Sequence, residues 1–319
     1  MKNSPMNSRL DALCCGLNVV DILVCLPEIF TPGEKHQVDQ LVVQGGAPAG
    51  NAACVIAALG SKTGYLAYFG DNTLSRIAKE ELKRWNVRDD YFLYQSQAQP
   101  GVAVVEIDPK TGDRTVFYNL NHYQYLSSID IPDQLSKKTK SILIDSYDPQ
   151  GTLPLLEAAH RENIPSVLDL ESGDPEILRK MISLGSDVIL PYQAALKLTE
   201  KKNPIDAFKT LRQWTSATIL ITNGAHGSWA YTDSGIIHQP IFNFPVIDTT
   251  GCGDSYHGAY AFALIQDWPL PIRMEFAAWI AAIVAGFIGG RGDLPTLEKI
   301  RSRDQRMLSS ELKEKILKL

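Results

Sequence analysis

The sequence lacks the features that mark several classes of protein. Its five cysteines are odd in number and show no C-x-x-C spacing, which argues against a disulfide framework and a zinc site. No stretch is apolar for long enough to predict a transmembrane span, and residues 1–10 lack the apolar core of a signal peptide. The net charge of −5 gives no reason to expect nucleic acid or a membrane surface as a partner. We therefore expect a cytoplasmic protein.

The composition, with 45% hydrophobic and 21% charged residues, is that of a globular, enzyme-sized protein of one or two domains. From residue 140 onward, short apolar runs alternate with segments of helical length. This alternation predicts an α/β fold with a mostly parallel sheet and helices on both faces. Ligands of such sheets bind beyond the carboxyl ends of the strands. The predicted strands are 141–145, 166–170, 188–190 and 217–222, and the predicted helices are 153–162, 175–183 and 205–214.

A glycine-rich turn, D-T-T-G-C-G-D at 248–254, precedes an apolar segment at 256–265 that we predict to be a helix. Gly251 and Gly253 permit a sharp turn and leave peptide N–H groups uncovered at the positive end of the helix, where anions bind readily. Asp254 suits a general base if those N–H groups hold a phosphoryl group that a substrate hydroxyl attacks. An ordinary helix start with an acidic first turn is the alternative.

This turn resembles the second signature of the ribokinase-like, or PfkB-type, carbohydrate kinases, in which the usual wording is D-T-x-G-A-G-D. Cys252 takes the place of the alanine, and the change should be tolerated because only its backbone N–H is needed. The resemblance implies an anion hole built from Gly251, Cys252, Gly253 and Asp254. It also implies a three-layer α/β/α sandwich with a mostly parallel central sheet and a small β-sheet lid, and ATP and Mg²⁺ as cofactors.

A second motif, G-G-A-P-A-G-N at 45–51, matches the first signature of that family. Asn51 is predicted to cap a helix at 52–59, and the glycines allow a ligand to approach the backbone closely. The resemblance assigns Gly46 and Asn51 to the sugar, although a structural turn with a helix cap would have a similar sequence. Four residues separate Gly46 from Asn51, one more than in ribokinase, and this longer turn resembles the sulfofructose kinase branch.

An apolar run at 12–26 is predicted to be a single strand with Asp21 inside it. Burying an unpaired charge is costly, so Asp21 needs a partner. The resemblance implies that the partner is a sugar hydroxyl, and a nearby backbone amide is the alternative. Asp145, the last residue of the strand 141–145, is a further predicted sugar-binding residue.

Strands are also predicted at 36–43, 101–107 and 114–119, the last two joined by a turn at 108–113. They resemble the lid of the family, formed here by about 22–44 and 101–120, which covers the sugar and often pairs with a second copy. The resemblance therefore implies a homodimer that forms through the lid sheet. The resemblance covers residues 10–298 and leaves 299–319 as a charged helical tail. A further helix is predicted at 279–288.

The turn T-N-G-A-H-G at 222–227 resembles the nucleotide-binding turn of the family. The resemblance implies Thr222, Gly224 and Gly227 as nucleotide-binding residues. It also implies Asp248 and Thr250 at a monovalent-cation site, for which K⁺ is the candidate.

The metal site departs from the family pattern. Many members carry N-x-x-E after a central strand to organise Mg²⁺, whereas the strand 188–190 is followed by P-Y-Q-A-A. Ketohexokinase and sulfofructose kinase lack that motif too. Asp169 and Glu171 are the nearest acids at a strand end, and we predict them as Mg²⁺ ligands because one or two carboxylates acting through water suffice for this ion.

Two classes of function follow. The first is an ATP-dependent kinase for a ketose or ketose derivative, with a nucleoside kinase of the same fold as its runner-up. The second is a sugar-binding homologue that has lost catalysis, as the missing N-x-x-E suggests. We favour the kinase, because a protein without catalysis would have no need for Asp254 and its glycines.

Overall fold

The computed structural model describes residues 9–29, 31–131, 134–232 and 234–319. In chain order, the strands of these residues are β1 (Leu10–Cys15), β2 (Val19–Cys25), β3 (Leu41–Gly46), β4 (Thr63–Leu66), β5 (Tyr68–Phe69), β6 (Leu93–Tyr94), β7 (Gly101–Ile107), β8 (Arg114–Asn119), β9 (Thr139–Asp145), β10 (Ser166–Asp169), β11 (Asp187–Pro191), β12 (Thr218–Thr222), β13 (Ser228–Thr232) and β14 (Gly235–Gln239). The α-helices are α1 (Pro48–Ala58), α2 (Thr73–Arg84), α3 (Pro149–Arg161), α4 (Pro175–Leu184), α5 (Tyr192–Thr199), α6 (Pro204–Trp214), α7 (Cys252–Ile265), α8 (Leu270–Val284), α9 (Leu297–Ser302) and α10 (Ser310–Lys318).

The large sheet has the strand order β14-β13-β12-β11-β10-β9-β1-β4. Every pairing from β4 to β12 is parallel, and β13 and β14 add an antiparallel edge. Its central strands β1 and β9 to β12 are largely buried, as expected of a parallel sheet that is covered on both faces. Side chains alternate between two cores: Cys14 packs with α1, α7 and α8, and Leu13 packs with α3, α4 and α6. The predicted three-layer α/β/α sandwich is confirmed.

The small sheet has the order β3-β2-β7-β8 and forms a separate layer beside the large one. One face buries Leu23, Val105 and Ile107 against the partly buried Val42 and Ile288. The strand β8 is exposed along its whole length. Strands 101–107 and 114–119 were predicted with the bounds that β7 and β8 have, whereas β3 lies several residues later than the predicted strand at 36–43.

The prediction of one strand at 12–26 is wrong, because β1 belongs to the large sheet and β2 to the small one. The chain turns between them at Gly16, which has a φ of 154°. A side chain at Gly16 would lie 2.3 Å from the carboxyl carbon of Asp145, and the N–H of Leu17 donates to that carboxylate at 2.9 Å. A buried acid from β9 therefore fixes the point at which the chain leaves one sheet for the other.

Several helices differ from their predicted bounds or were not predicted, and α2 is among those that were missed. Helix α1 begins at Pro48, a residue favoured in the first turn, so Asn51 lies inside it and the predicted cap at Asn51 is wrong. Helix α8 begins at Leu270 and ends at Val284, so both ends of the predicted helix at 279–288 are wrong. Just after its end, the carbonyl of Ala285 accepts the N–H of Ile247 at 2.8 Å. Helix α5 was missed, because it follows Pro191 directly and has no capping side chain.

The carboxyl-terminal residues form α9 and α10, which pack on the α8 side of the large sheet through the buried side chains of Ile300, Leu312 and Ile316. Among the residues that the structure describes, no helix combines the length and apolarity needed to cross a bilayer.

Candidate active site

The glycine-rich turn places the first residues of α7 at the carboxyl edge of the large sheet. Gly251 is the N-cap and has a left-handed φ of 73°, a conformation that favours glycine. A helix start leaves its first N–H groups without intrahelical acceptors. The N–H of Cys252 reaches the carbonyl of Thr249 at 3.3 Å, whereas those of Gly251, Gly253 and Asp254 have no acceptor within the described residues. Gly253 is exposed, and a Cβ there would have no atom within 4 Å.

The turn before α7 is held by a buried carboxylate. Asp248 is fully buried and accepts the N–H of Thr250 at 2.8 Å and the N–H of Gly289 at 2.7 Å. These bonds tie the turn to the loop after α8. The hydroxyl oxygen of Thr250 is buried and has no hydrogen-bond partner in the described chain. Of the two residues predicted for a monovalent cation, Asp248 already binds two backbone groups and Thr250 has an unused oxygen.

Asp254 lies in the first turn of α7 and is partly buried. Its Oδ2 accepts a hydrogen bond from Nδ2 of Asn51 on α1 at 2.7 Å, although the two residues are 203 positions apart in the chain. Oδ1 of Asp254 has no partner among the residues described. Two of the sequence-predicted site residues are therefore in direct contact, and one carboxylate oxygen is available to a ligand.

Asp21 points from β2 toward Gly46, where a Cβ would lie only 2.0 Å from Oδ2 of the carboxylate. The side chain is 7% exposed and has no hydrogen-bond partner in the described residues. The backbone amide considered as an alternative partner is thus not found. Burial, and beyond it the charge of Asp254, raises the pKa of Asp21 to about 7 against the opposing charge of Arg291. A buried carboxylate without a partner is a place where ligand hydroxyls can bind.

Asp145 has a different environment at the end of β9. It is fully buried, and its carboxylate accepts the N–H groups of Leu17 at 2.9 Å, Ala49 at 3.2 Å and Tyr147 at 3.0 Å. Burial raises its pKa to about 7 even though these bonds lower it. Asp145 thereby joins the start of α1 to the β1–β2 connection, and its predicted contact with a sugar stays a prediction.

The two acids predicted for Mg²⁺ follow β10. Asp169 is 1% exposed, and neither of its oxygens has a hydrogen-bond partner within the described chain. Burial, followed by the charges of Glu171 and Asp254, raises the pKa of Asp169 far above its ordinary value. Glu171 is exposed, and its carboxylate accepts the hydroxyl of Tyr147 at 3.3 Å. No cluster of three or more metal-ligating side chains occurs in the described ranges.

A histidine that sequence reasoning did not single out lies beneath Asp254. His257 is buried on α7, and its Nδ1 is 2.8 Å from the carbonyl of Gly253 and 3.3 Å from Asp169. Burial lowers its pKa, which favours the neutral ring. Its spacing of three residues from Asp254 in the helix is the only sequence signal for this position. His257 joins the first turn of α7 to the end of β10.

The predicted nucleotide-binding turn follows β12 at the same edge of the sheet. Thr222 ends the strand, and Gly224 has a φ of 49° with no atom within 4 Å of its missing Cβ. Gly227 has a φ of 80°, and a Cβ there would lie 2.2 Å from the carbonyl oxygen of Gln239. Gly224 therefore borders open space, and Gly227 is needed for packing.

Two further residues were missed by sequence reasoning. Arg114, on the lid strand β8, lies 3.4 Å from the hydroxyl of Thr249, and its charge lowers the pKa values of Asp21 and Glu171. Arg291, in the loop after α8, donates from Nε to Oδ1 of Asn51 at 2.8 Å. Burial raises the pKa of the Cys252 thiol to about 12, which favours its protonated form.

Comparison with known proteins shows similarity along nearly the whole chain. A family model described as pfkB family carbohydrate kinase matches residues 11–297. The curated 5-dehydro-2-deoxygluconokinase of Geobacillus kaustophilus (strain HTA426) is 28% identical over 313 residues, with 91% of this chain and 92% of that protein covered.

Solved structures show the same fold. A protein of Agrobacterium tumefaciens, assigned only provisionally as a ribokinase, superimposes with a TM-score of 0.85 at 20% identity over 98% of each chain. Arabidopsis thaliana ribokinase complexed with ribose and ATP gives a TM-score of 0.78 at 18% identity, over 92% of this chain and 97% of that one.

Proposed function

Because the chain belongs to the pfkB family of carbohydrate kinases, we propose that it transfers the γ-phosphoryl group of ATP to a hydroxyl of a ketose derivative that carries an acid group. The observation that supports this most is Asp254, held by Asn51 at 2.7 Å beside unoccupied N–H groups at the start of α7. The acid group follows the name of the relatives, which act on 5-dehydro-2-deoxygluconate. That the chain belongs to the ketohexokinase and sulfofructose kinase branch of the family stays a prediction.

In the proposed reaction, Oδ1 of Asp254 takes the proton of the sugar hydroxyl. The hydroxyl oxygen then forms a bond with the γ-phosphorus while the bond from that phosphorus to the bridging oxygen breaks, and ADP leaves. The N–H groups of Gly251, Gly253 and Asp254 stabilise the charge that develops on the transferred group. One such donor typically contributes about 2.7–4 kcal/mol of barrier lowering. Cys252 contributes less than predicted, because its N–H already reaches Thr249.

The sugar is proposed to lie between β2 and α1, with its hydroxyls on Asp21 and the backbone at Gly46. The carboxylate of Asp21 has no hydrogen-bond partner in the described chain, and the missing side chain of Gly46 makes room for that carboxylate. Arg114 on the lid supplies a positive charge near Asp21 and Glu171, which suits an anionic sugar. Asn51 faces the same space through its bond to Asp254.

The nucleotide is proposed to lie along the turn that holds Thr222, Gly224 and Gly227, with its phosphates toward α7. The buried oxygens of Asp169, which accept no hydrogen bond in the described chain, fit a role near Mg²⁺, and the charge of Glu171 acts on Asp169. Mg²⁺ would neutralise phosphate charge, and Asp169 and Glu171 would orient the waters of its shell. A K⁺ site at Asp248 and Thr250 stays a prediction.

We also propose a homodimer that forms through the lid sheet. Val43, Ile22, Val104 and Phe117 are successive cross-strand neighbours, so they form one apolar row on one face. Phe117 is 57% exposed and Val43 is 46% exposed. A second copy that packs its own row on this one would bury both.

A panel of acceptors tests the activity. The purified protein, with ATP and Mg²⁺, is given 5-dehydro-2-deoxygluconate, neutral ketoses, aldoses and nucleosides, and ADP formation is measured. We expect the highest kcat/KM with the keto sugar acid. Preference for a nucleoside would replace the sugar assignment. Tight binding of a sugar without ADP formation from any acceptor would identify a homologue that has lost catalysis.

A further inference from the structure

The side chain of Arg291 is 1% exposed, although arginine is rarely buried without an acidic partner. No carboxylate lies within ion-pair distance of it in the described part of the chain. Instead, Nε donates to Oδ1 of Asn51 at 2.8 Å and Nη2 donates to the carbonyl of Gly46 at 2.6 Å. Burying a cation without an ion pair is costly, so this arrangement calls for an explanation beyond stability.

Two glycines of the first motif make room for the guanidinium. A Cβ at Gly45 would lie 2.1 Å from Nη1 of Arg291, and a Cβ at Gly50 would lie 2.5 Å from Nη2. The loop that carries Arg291 is tied down from outside by Arg84, which donates to the carbonyl of Gly292 at 3.0 Å. The G-G-A-P-A-G-N motif therefore packs around a buried arginine that comes from the loop after α8.

The chemistry of the guanidinium decides the orientation of the Asn51 amide. Arginine only donates hydrogen bonds, so the amide oxygen of Asn51 has to face Nε of Arg291. The amide nitrogen then faces Asp254, to which it donates at 2.7 Å. With the opposite orientation, two donors would meet at Arg291 and two acceptors would meet at Asp254.

We propose that Arg291 is a positioning residue that acts through Asn51: it orients the Asn51 amide so that Nδ2 holds Oδ2 of Asp254 and Oδ1 remains directed to the sugar hydroxyl. This inference rests on the proposed role of Asp254 as the base. Arg291 acts on the acceptor side of the site, because its two hydrogen-bond partners are Asn51 and Gly46. Among the described residues, no hydrogen bond or ion pair joins Arg291 to the proposed nucleotide-binding turn after β12.

The first test is a double-mutant cycle with Arg291→Lys and Asn51→Leu, assayed with the best acceptor of the panel. Lysine cannot donate to Asn51 and Gly46 in the same fork geometry. A displacement of about 1 Å can cost on the order of 10²-fold in rate, so we expect Arg291→Lys to lower kcat at least about tenfold with the KM for ATP unchanged. The double variant should have the kcat of Asn51→Leu, because Arg291 acts through that residue. Losses that multiply, or a kcat unchanged in Arg291→Lys, would overturn the proposal.

A matched control is Arg273→Lys, which alters another partly buried arginine, bonded to Asp187 at 2.9 Å at the opposite edge of the sheet. It should lower the melting temperature and leave kcat unchanged. If Arg291→Lys does not fold, Asn51→Asp tests the positioning role instead, because it keeps an acceptor for Arg291 and removes the donor to Asp254. A kcat equal to wild type in Asn51→Asp would reject the positioning role.

The failure of this inference is distinguishable from failure of the proposed function. Full turnover in Asp254→Asn would show that Asp254 is not the base, and the proposed function itself would fail. An inactive Asp254→Asn together with wild-type kcat in Asn51→Asp would keep the base and reject only the link through Arg291.

Discussion

The buried acidic residues at this site differ in whether their carboxylate oxygens accept hydrogen bonds. Asp145 and Asp248 are buried acids whose oxygens accept backbone N–H groups, and they fix turns. Asp21 and Asp169 are buried acids whose oxygens have no hydrogen bond among the residues described. Leaving buried polar groups unpaired costs free energy, so Asp21 and Asp169 are the acids that a ligand would satisfy.

Asp254→Asn tests the base directly. The amide keeps the size of the side chain but cannot take a proton, so turnover should fall by on the order of 10²–10⁴ while sugar and ATP binding change little. Turnover and calorimetric binding are measured on the same preparation. Wild-type turnover would show that Asp254 is not the base, and loss of ATP binding would indicate a structural defect instead.

Asp21→Asn tests the buried carboxylate through the pH dependence of stability. The folded pKa of about 7 lies above the ordinary value of 3.8, so the folded state binds the proton more tightly than the unfolded state does. The stability of the wild type should therefore fall as pH rises from about 4 to about 7, by up to an amount on the order of 4 kcal/mol. The variant should be more stable than the wild type at pH 8 and lose this advantage near pH 4.

Urea unfolding at several pH values measures this difference. Asp11→Asn is a control of opposite sign: burial raises the pKa of Asp11, but the hydrogen bond from Lys140 and further bonds outweigh it, and the net shift is downward. That variant should be less stable than the wild type at neutral pH. Sugar affinity should weaken in Asp21→Asn with little change for ATP, and equal weakening of both would point to a structural role for Asp21.

At the scale of elements, sequence patterns predicted the parallel strands β9 to β12 and the helices α3, α4 and α6 well, whereas β4, α2 and α5 were missed. Strands β7 and β8 and the strand–helix alternation after residue 140 follow directly from apolar periodicity. The prediction of one strand at 12–26 was wrong, because an apolar run does not show where the chain passes from one sheet to another. Here that point depends on Gly16 and the distant Asp145. The pairing of Asn51 with Arg291 is likewise invisible, because 240 residues separate the partners in the chain.

The start of α7 allows a comparison of two glycines in one element. Gly251→Ala should destabilise the protein, because its φ is 73° and the new Cβ would lie 2.4 Å from Cα of Gly290. Gly253→Ala should leave the melting temperature unchanged or slightly higher, since no atom lies within 4 Å of its Cβ position.

The same substitution at Gly253 should nevertheless impair catalysis. Cβ atoms in a helix tilt toward its N-terminus, so the methyl group would enter the space in front of the free N–H groups. We expect kcat to fall by at least about tenfold through displacement of the phosphoryl group. Thermal melting and steady-state rates separate the two effects. An unchanged kcat in Gly253→Ala would place the phosphoryl group elsewhere.

At the scale of the whole molecule, the site lies where three layers of the architecture meet. The parallel sheet supplies the ends of β9, β10 and β12, helices α1 and α7 supply Asn51 and Asp254, and the lid supplies Asp21 and Arg114. The order of these pieces along the chain could be predicted from two signature motifs. Their contacts could not, since they depend on buried side chains that join distant segments.

The lid also has one face that the rest of the described chain leaves uncovered, and this face carries the last prediction. If two copies pair through the row that contains Val104 and Phe117, the wild type should have twice the chain mass of 35.2 kDa in solution. Phe117→Lys would place a charge at the β8 end of the buried row, and desolvating it without a partner should shift the protein to monomers. Light scattering coupled to gel filtration measures the mass.

The control is Ile205→Lys, because Ile205 on α6 is 50% exposed and lies outside the lid, so its substitution should leave the mass unchanged. A monomeric wild type, or a dimer that persists in Phe117→Lys, would contradict pairing through this face.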